Sequence, residues 1–332
     1  MPSKHNCKLS IVIAMYNIEA YIRYCLDSCL NQDGIQDGDY EVIIVNDGST
    51  DNSLAIAREY AGSRDNVRIV SQENAGLSAA RNTGMDNAQG EYIWFVDGDD
   101  AISKDAVSII LANISKDGAD AYMCNFSTFE SEGLIDTSDF KAYNNLSGAE
   151  IHEKHLHILP MMAWLTIYRT DCLRSHGLQF LPGIYHEDFE FSVKAHHCMS
   201  SISFIGQSLY HYRLARKDSI MAIASRDNTK SIASVIAIID SFSSFFENDE
   251  SSFVKMLFGV CAVLFFSKWY DNSCPVKETT SLLFKANRRR LYGMMWHSGQ
   301  LKKRVLMVLT VLLPRPVLCR VYAYVRGQSK LM

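Results

Sequence analysis

Four times in its first 102 residues this chain repeats one pattern. A short, almost wholly apolar run leads into a polar cluster, and a segment with apolar residues at helical spacing follows. The runs are LSIVIAMYN (9–17), YEVIIV (40–45), VRIVS (67–71) and YIWFV (92–96). After the first, apolar residues at 18, 21, 22, 25, 26, 29 and 30 form a helical stripe; later helices are expected through Tyr60 and over LSAARNTGMDNA. Buried strands alternating with helices predict an α/β fold, a Rossmann-like, mainly parallel sheet with helices on both faces. In such sheets ligands sit beyond the carboxyl ends of the strands. There the chain places Tyr16-Asn17, Asp47, Asn74-Ala75-Gly76 and Asp97-Gly98-Asp99.

Past residue 102 the pattern loosens. Ser103 is expected to cap the next helix, DAYMCNF suggests a further strand, and 127–148 is polar and irregular in pattern. AWLTIYR, YHEDFEF and LYHYRLARKDS follow, and after Ser219 the chain is mostly helical, with apolar stretches such as MLFGVCAVLFF (256–266). The nine cysteines lack zinc-ligand spacing, and the close pair Cys25 and Cys29 lies in an apolar stripe, as reduced core thiols do. Leu9 to Met15 is too short an apolar run for a signal peptide. A net charge of −4 hides an asymmetry: from Lys285 onward there are eleven Lys and Arg and no acid, so the preceding residues carry 22 bases against 37 acids.

The acids after the fourth run carry the first chemical signal. Asp97, Asp99 and Asp100 repel one another at a strand end unless a cation or hydrogen-bond donors compensate. A hard cation such as Mn²⁺ or Mg²⁺ takes one or two carboxylates together with phosphate oxygens, and Gly98 would let the backbone turn between them. The bland alternative is a solvated turn. Glu187-Asp188 stands where a helix begins, so its carboxylates either complement the helix dipole or serve as a base toward a hydroxyl. Arg213, Arg216, Lys217 and Ser219 would suit a departing phosphate, or form a solvated loop.

Taken in order, these segments resemble the inverting family 2 glycosyltransferases of bacterial surface-polysaccharide assembly, which have the GT-A fold. SIVIAMYN, VNDGSTDNS, NAGLSAARNTGMDNAQGEYIWFVDGDD, HEDFEF and YHYRLARKDSI carry the likeness, which covers about 8–220. It implies a catalytic domain over 1–220, with a nucleotide-sugar half at about 1–102 and an acceptor half at about 103–220, and a helical region over 221–332. By the same resemblance Asp47 would accept the nucleobase imino hydrogen and Tyr16 would line the base pocket. Arg81 and Asp97 would face the nucleotide, Asp99 and Asp97 the metal, and Arg216 and Ser219 the diphosphate. Asp188 would be the general base, with Glu187 beside it. His211 is either a further metal ligand or a core histidine. The implied reaction moves one sugar from a nucleoside-diphosphate sugar, commonly UDP-linked, to a glycan or lipid-linked acceptor. The chain departs from the family at Ala14, where proline is common, and it lacks the Gln-x-x-Arg-Trp motif and the long membrane spans of processive synthases.

The tail LKKRVLMVLTVLLPRPVLCRVYAYVRGQSKLM has an apolar run, Val305 to Leu313, too short to cross a bilayer. Its flanking cations suit a helix lying on an anionic membrane surface, the alternative being a helix packed on the protein. A cytoplasmic protein, peripheral on the inner face of the plasma membrane, is the expectation. Other readings fit less well. Phosphatases with Asp-x-Asp after a strand have Thr or Val where this chain has Ala101, a sugar nucleotidyltransferase would need glycines after the first strand, and the acidic body argues against nucleic acid. A catalytically silent nucleotide-sugar-binding scaffold remains the rival from another class.

Overall fold

The structure, a computed structural model, describes residues 7–35, 38–128, 146–148, 150–151, 161–213, 228–270, 278–298, 301–312 and 317–318. The expected first half forms closely. Strands β1 (Leu9–Met15), β2 (Tyr40–Asp47), β3 (Val67–Gln72) and β4 (Tyr92–Asp97) alternate with helices α1 (Ile22–Leu30), α2 (Ser53–Ala61) and α3 (Leu77–Asn87). β1 pairs in parallel with β2 and β4, and β2 with β3. Side chains of β1 alternate between two faces. Ile11 and Ile13 join Ile22, Leu26 and Ile110 in one core cluster, whereas Val12 faces the other way, onto Gly84 of α3. A Cβ at Gly84 would lie 2.1 Å from Val12 Cγ1, so this helix reaches its packing distance only with glycine there.

The second half returns across the sheet. β5 (Ala101–Ile102), α4 (Ala106–Asp117), β6 (Ala121–Thr128), a 3₁₀ turn (Ala163–Leu165), β7 (Thr166–Arg169), α5 (Thr170–Ser175), α6 (Glu187–His197) and β8 (Ile202–Tyr212) complete it. The sheet order is β3-β2-β1-β4-β7-β6-β8-β5. β7 is antiparallel to β4 and β6, β8 is parallel to β6, and β5 is antiparallel to β8. The ends of β4, β6 and β8 therefore share one rim with the start of β7.

Two local expectations change. The helix expected to be capped by Ser103 begins at Ala106, with Asp105 at the capping position. Gly98 is not needed for a left-handed turn, since it is absent from the positive-φ glycines among the described residues. It is needed for room: a Cβ would sit 2.4 Å from Ile18 Cδ1 and 3.1 Å from the Ala14 carbonyl oxygen.

Contacts divide the chain into two units, the first Met1–Ile151, Pro160–Gly183 and Glu187–Ala215, the second His152–Leu159, Ile184–His186 and Arg216–Met332. The described helices of the second unit are α7 (Asn228–Phe245), α8 (Ser252–Trp269), α9 (Glu278–His297) and α10 (Leu301–Leu312). α8 alone among the described helices is long and apolar enough to cross a membrane by length and composition. It buries Leu257, Cys261, Phe265 and Phe266 within the unit, and Phe266 stacks on Tyr292 of α9. The described cysteines are all free thiols.

Candidate active site

The rim where β1, β2 and β4 end is built from loops that bind one another. At β1, Asn17 takes a positive φ of 49°, and its amide oxygen accepts from the Thr50 N–H at 2.8 Å. Ser53 Oγ accepts from the Ile18 N–H at 2.9 Å, and Asp51 Oδ2 accepts from the Glu19 N–H at 3.0 Å. These bonds clamp Tyr-Asn to the Asp-Gly-Ser-Thr-Asp loop and leave Tyr16 projecting, 47% exposed. Asp47 is 3% exposed. Its carboxylate accepts from Gln72 Nε2 (2.8 Å) and from the N–H groups of Ala75 (2.9 Å) and Gly76 (2.8 Å), which pins the loop that opens α3. Gly48 has φ 73° and meets Asn74 N so closely that a Cβ would lie 2.9 Å away.

The center of the site is one guanidinium. Arg81 of α3 is 2% exposed, and it does not face outward as a nucleotide contact would. Its Nη2 donates to Asp97 Oδ1 at 2.7 Å, and its Nη1 donates to Glu187 Oε1 at 3.3 Å and to Asp188 Oδ1. Phe180 lies beneath it, 5.2 Å from the ring centroid, and Phe180 stacks on Phe191 of α6 at 3.8 Å. Asn82 fixes Phe180 by donating to its carbonyl (2.9 Å) and accepting from its N–H (2.8 Å). The Asp-x-Asp end of β4 and the Glu-Asp start of α6 thus share one cation, although they stand some ninety residues apart in sequence.

The acids respond to this crowding. Burial, then the Asp188 charge, pushes the Glu187 carboxyl up to about 7 against the pull of Arg81. Burial also raises Asp188, again opposed by Arg81 and by the N–H of Ala163, which Asp188 accepts. Burial and the charges of Asp97 and Asp99 push Asp100 up to about 8. Asp100 is the buried pivot of the turn: it accepts from Tyr210 Oη at 2.7 Å and from the Arg213 N–H at 2.7 Å. Tyr210 Oη in turn accepts from the Asp97 N–H at 3.1 Å, and Arg213 Nε donates to the Asp99 carbonyl at 2.8 Å.

Asp99 is half-buried beside this turn. His211 lies on β8 opposite Ala101, with its Nδ1 2.6 Å from Ser127 Oγ. Burial lowers its pKa. Among the described residues no three His, Cys, Asp or Glu side chains converge to hold a metal, so Asp97, Asp99 and His211 are not gathered as a trio. The reason is local: Asp97 turns its carboxylate to Arg81, while the β8 register ties His211 to Ser127. Arg216 and Ser219 lie outside the described residues. Sequence reasoning passed over Tyr210, Asp100 as a pivot and the N–H of Ala163. Arg213 was grouped with phosphate-binding cations, yet here it holds the acidic turn in place. The two-residue spacing of Tyr210 and Tyr212, which puts both on one face of a strand, was the signal available.

Residues 10–175 match the family described as Glycosyl transferase family 2. The Bacillus subtilis (strain 168) protein EpsH is 36% identical over 249 residues, covering 73% of this chain and 70% of EpsH. Among solved structures, Staphylococcus aureus TarS 1–349 in complex with UDP-GlcNAc superposes with a TM-score of 0.70 at 21% identity, covering 97% of this chain and 92% of that one. The mannosyltransferase PcManGT from Pyrobaculum calidifontis, in complex with GDP-Man and Mn²⁺, reaches 0.54 at 16% identity, over 96% of this chain and 84% of that one. These likenesses agree with the GT-A fold expected from the sequence.

Proposed function

This chain belongs to glycosyl transferase family 2, and on that premise we propose that it moves one sugar per encounter from a nucleoside-diphosphate sugar to a hydroxyl of a glycan or lipid-linked acceptor, inverting the anomeric carbon. The observation that carries this reading is the sharing of Arg81 by Asp97 and by Glu187-Asp188. A donor-side acid and a candidate base are thereby held at one rim, both only partly covered, with side chains 24% and 21% exposed.

Asp188 is the general base. It takes the proton of the acceptor hydroxyl while that oxygen bonds to the anomeric carbon and the bond from that carbon to the diphosphate breaks. Burial makes Asp188 more basic than an ordinary carboxylate, and Arg81 with the Ala163 N–H keeps it oriented. Asp97 and Asp99 offer only oxygen donors, which fits a hard divalent ion, Mn²⁺ or Mg²⁺, completed by phosphate oxygens. When bound, such an ion supplies positive charge to the departing diphosphate. Tyr16 lines the nucleobase, and Asp47 shapes that pocket through the loop it holds and reaches the base by its remaining acceptor capacity. Arg216 and Ser219 are assigned to the diphosphate, while His211, bonded to Ser127, is given no part in holding the metal. The UDP-GlcNAc complex of a protein with this fold supports a UDP-linked donor.

The test is a panel of UDP- and GDP-sugars with Mn²⁺, read by nucleotide release and thermal stabilisation. Asp188→Asn is expected to lose about a thousand-fold or more in turnover, as removal of a general base does, while donor-induced stabilisation survives. Near-normal turnover in that variant refutes the assignment.

The tail supports a peripheral place on the inner face of the plasma membrane, which suits a lipid-linked acceptor. In the helical unit Leu306 and Thr310 of α10 are buried, while Val305 and Val308 of the same helix are exposed. Trp296 is exposed close by, with the Arg304 guanidinium 5.4 Å from its ring. An apolar face edged by cations suits an anionic surface. The double variant Val305→Asp, Val308→Asp is expected to float less with phosphatidylserine vesicles than the parent, and equal flotation would remove the membrane from this account.

A further inference from the structure

A column of aromatic rings beside Asp188 is unused by the donor-side chemistry. The Trp164 indole stacks on Tyr210, with centroids 4.2 Å apart and planes at 15°, and on Tyr212, at 5.5 Å and 12°. Phe126 meets it edge-on at 5.1 Å. Phe126, Trp164 and Tyr210 are buried, and Tyr212 is the one ring of the column that is only half-buried. It is the last residue of β8, a strand that runs in the same direction as β4, so the column surfaces at the rim where β4 ends in Asp97.

Its neighbours tie it to both sets of acids. The next residue, Arg213, is bonded to Asp99 and Asp100. Ala163, which precedes Trp164, gives its N–H to Asp188. The Tyr212 phenol lies within the electrostatic reach of Asp100, Asp97, Asp99 and Asp188 alike. One face of a pyranose carries C–H groups of slight positive charge, which match the negative face of an aromatic ring, while the hydroxyls at its edge need polar partners. A half-buried tyrosine at the rim that carries these acids offers both at once. Binding sites of this kind combine an apolar floor with a few placed polar groups.

We propose that Tyr212, backed by Trp164, is the platform on which the acceptor sugar lies, with its ring face on the tyrosine and the hydroxyl to be glycosylated directed at Asp188. This rests on the glycosyl-transfer reading above and deepens it: the acceptor terminates in a pyranoside rather than in a simple alcohol.

Saturation-transfer NMR with the full chain and methyl β-glycosides of glucose, galactose and N-acetylglucosamine tests it without turnover. The parent is expected to bind at least one glycoside, with saturation strongest on ring-face protons. Tyr212→Phe is expected to bind equally, and Tyr212→Leu, which keeps apolar bulk but loses the π face, to bind about ten-fold more weakly. Stabilisation by a Mn²⁺–nucleotide-sugar pair, measured on the same variants, is expected to be unchanged. Equal glycoside binding by the Leu variant and the parent overturns the proposal. So does a Phe variant as weak as Leu, or a parent that binds none of the glycosides. Absence of any nucleotide-sugar effect on the parent is instead a failure of the donor reading, so the two can be told apart.

Discussion

The two halves of the catalytic unit place their site residues by different means. In residues 9–102 each polar group sits within a few residues of a parallel strand's end, and backbone pairing alone carries Tyr16, Asp47 and Asp97 to the rim. In residues 121–213 the contributors are Trp164 in a 3₁₀ turn, Asp188 at a helix start, and Tyr210 and Arg213 at the end of a strand whose register against β6 shifts twice. These are brought to the rim by side chains, namely Tyr210 to Asp100, Arg213 to Asp99 and Asp100, and Glu187-Asp188 to Arg81. Both halves belong to one sheet, joined by the antiparallel pairing of β4 with β7, but the second half reaches the rim through irregular segments whose last placement is made by side-chain contacts. The orientation of Asp188, the proposed base, therefore depends on a few polar contacts in addition to the sheet and the packing of Phe191 on Phe95.

Arg81→Met probes that difference hardest. It keeps much of the buried volume but leaves Asp97, Glu187 and Asp188 facing one another without a counter-charge. Removing one partner of a buried ion pair costs about 3 kcal/mol or more. The acids can escape part of that cost by taking up protons, so the loss is expected to be greater at pH 8 than at pH 5 in urea unfolding. Arg81→Lys keeps the charge without the planar fork and is expected to fall between the two. Equal losses for Arg81→Met at both pH values would mean that packing, not charge, holds Glu187 and Asp188 against Asp97.

The same contrast sets what could be read from the sequence. Buried parallel strands are continuous apolar runs, so 9–17, 40–45, 67–71 and 92–96 anticipate β1 to β4 within about two residues at each end. The second half hides its strands. β5 has two residues and β7 four, and the burial of β8 alternates irregularly because bulges interrupt its pairing with β6. The Asp-x-Asp and Glu-Asp pairs were visible as local motifs, but their common partner was not. Arg81 lies on a buried face of α3 with Ser78, Ala80, Gly84 and Met85. A cation on such a stripe announces that carboxylates must come to it, without saying from where. Spacing carries no information about a partner 107 residues on.

The smallest effect separates the halves by pH. Both hold carboxyls raised by folding: Asp100 to about 8 from 3.8 in the first, and Glu187 to about 7 from 4.5, with Asp188 raised beside it, in the second. Asp100 is faced by Asp97 and Asp99 on its own turn, by Tyr210 of β8 and by Arg213 just after that strand; Glu187 is faced by Asp188, Arg81 and Asp97. A group whose folded pKa is raised binds more protons folded than unfolded, so stability falls as pH rises between the two values. The melting temperature of the metal-free protein is therefore expected to decline from about pH 5 to pH 8, by a few degrees. Glu187→Gln should make the decline below pH 7 shallower, since Asp100 and Asp188 still contribute there, and leave the part between pH 7 and 8 unchanged. A profile that Glu187→Gln leaves untouched would mean that burial beside Asp188 does not raise Glu187 on folding, and that the pH response belongs to the Asp97–Asp100 turn.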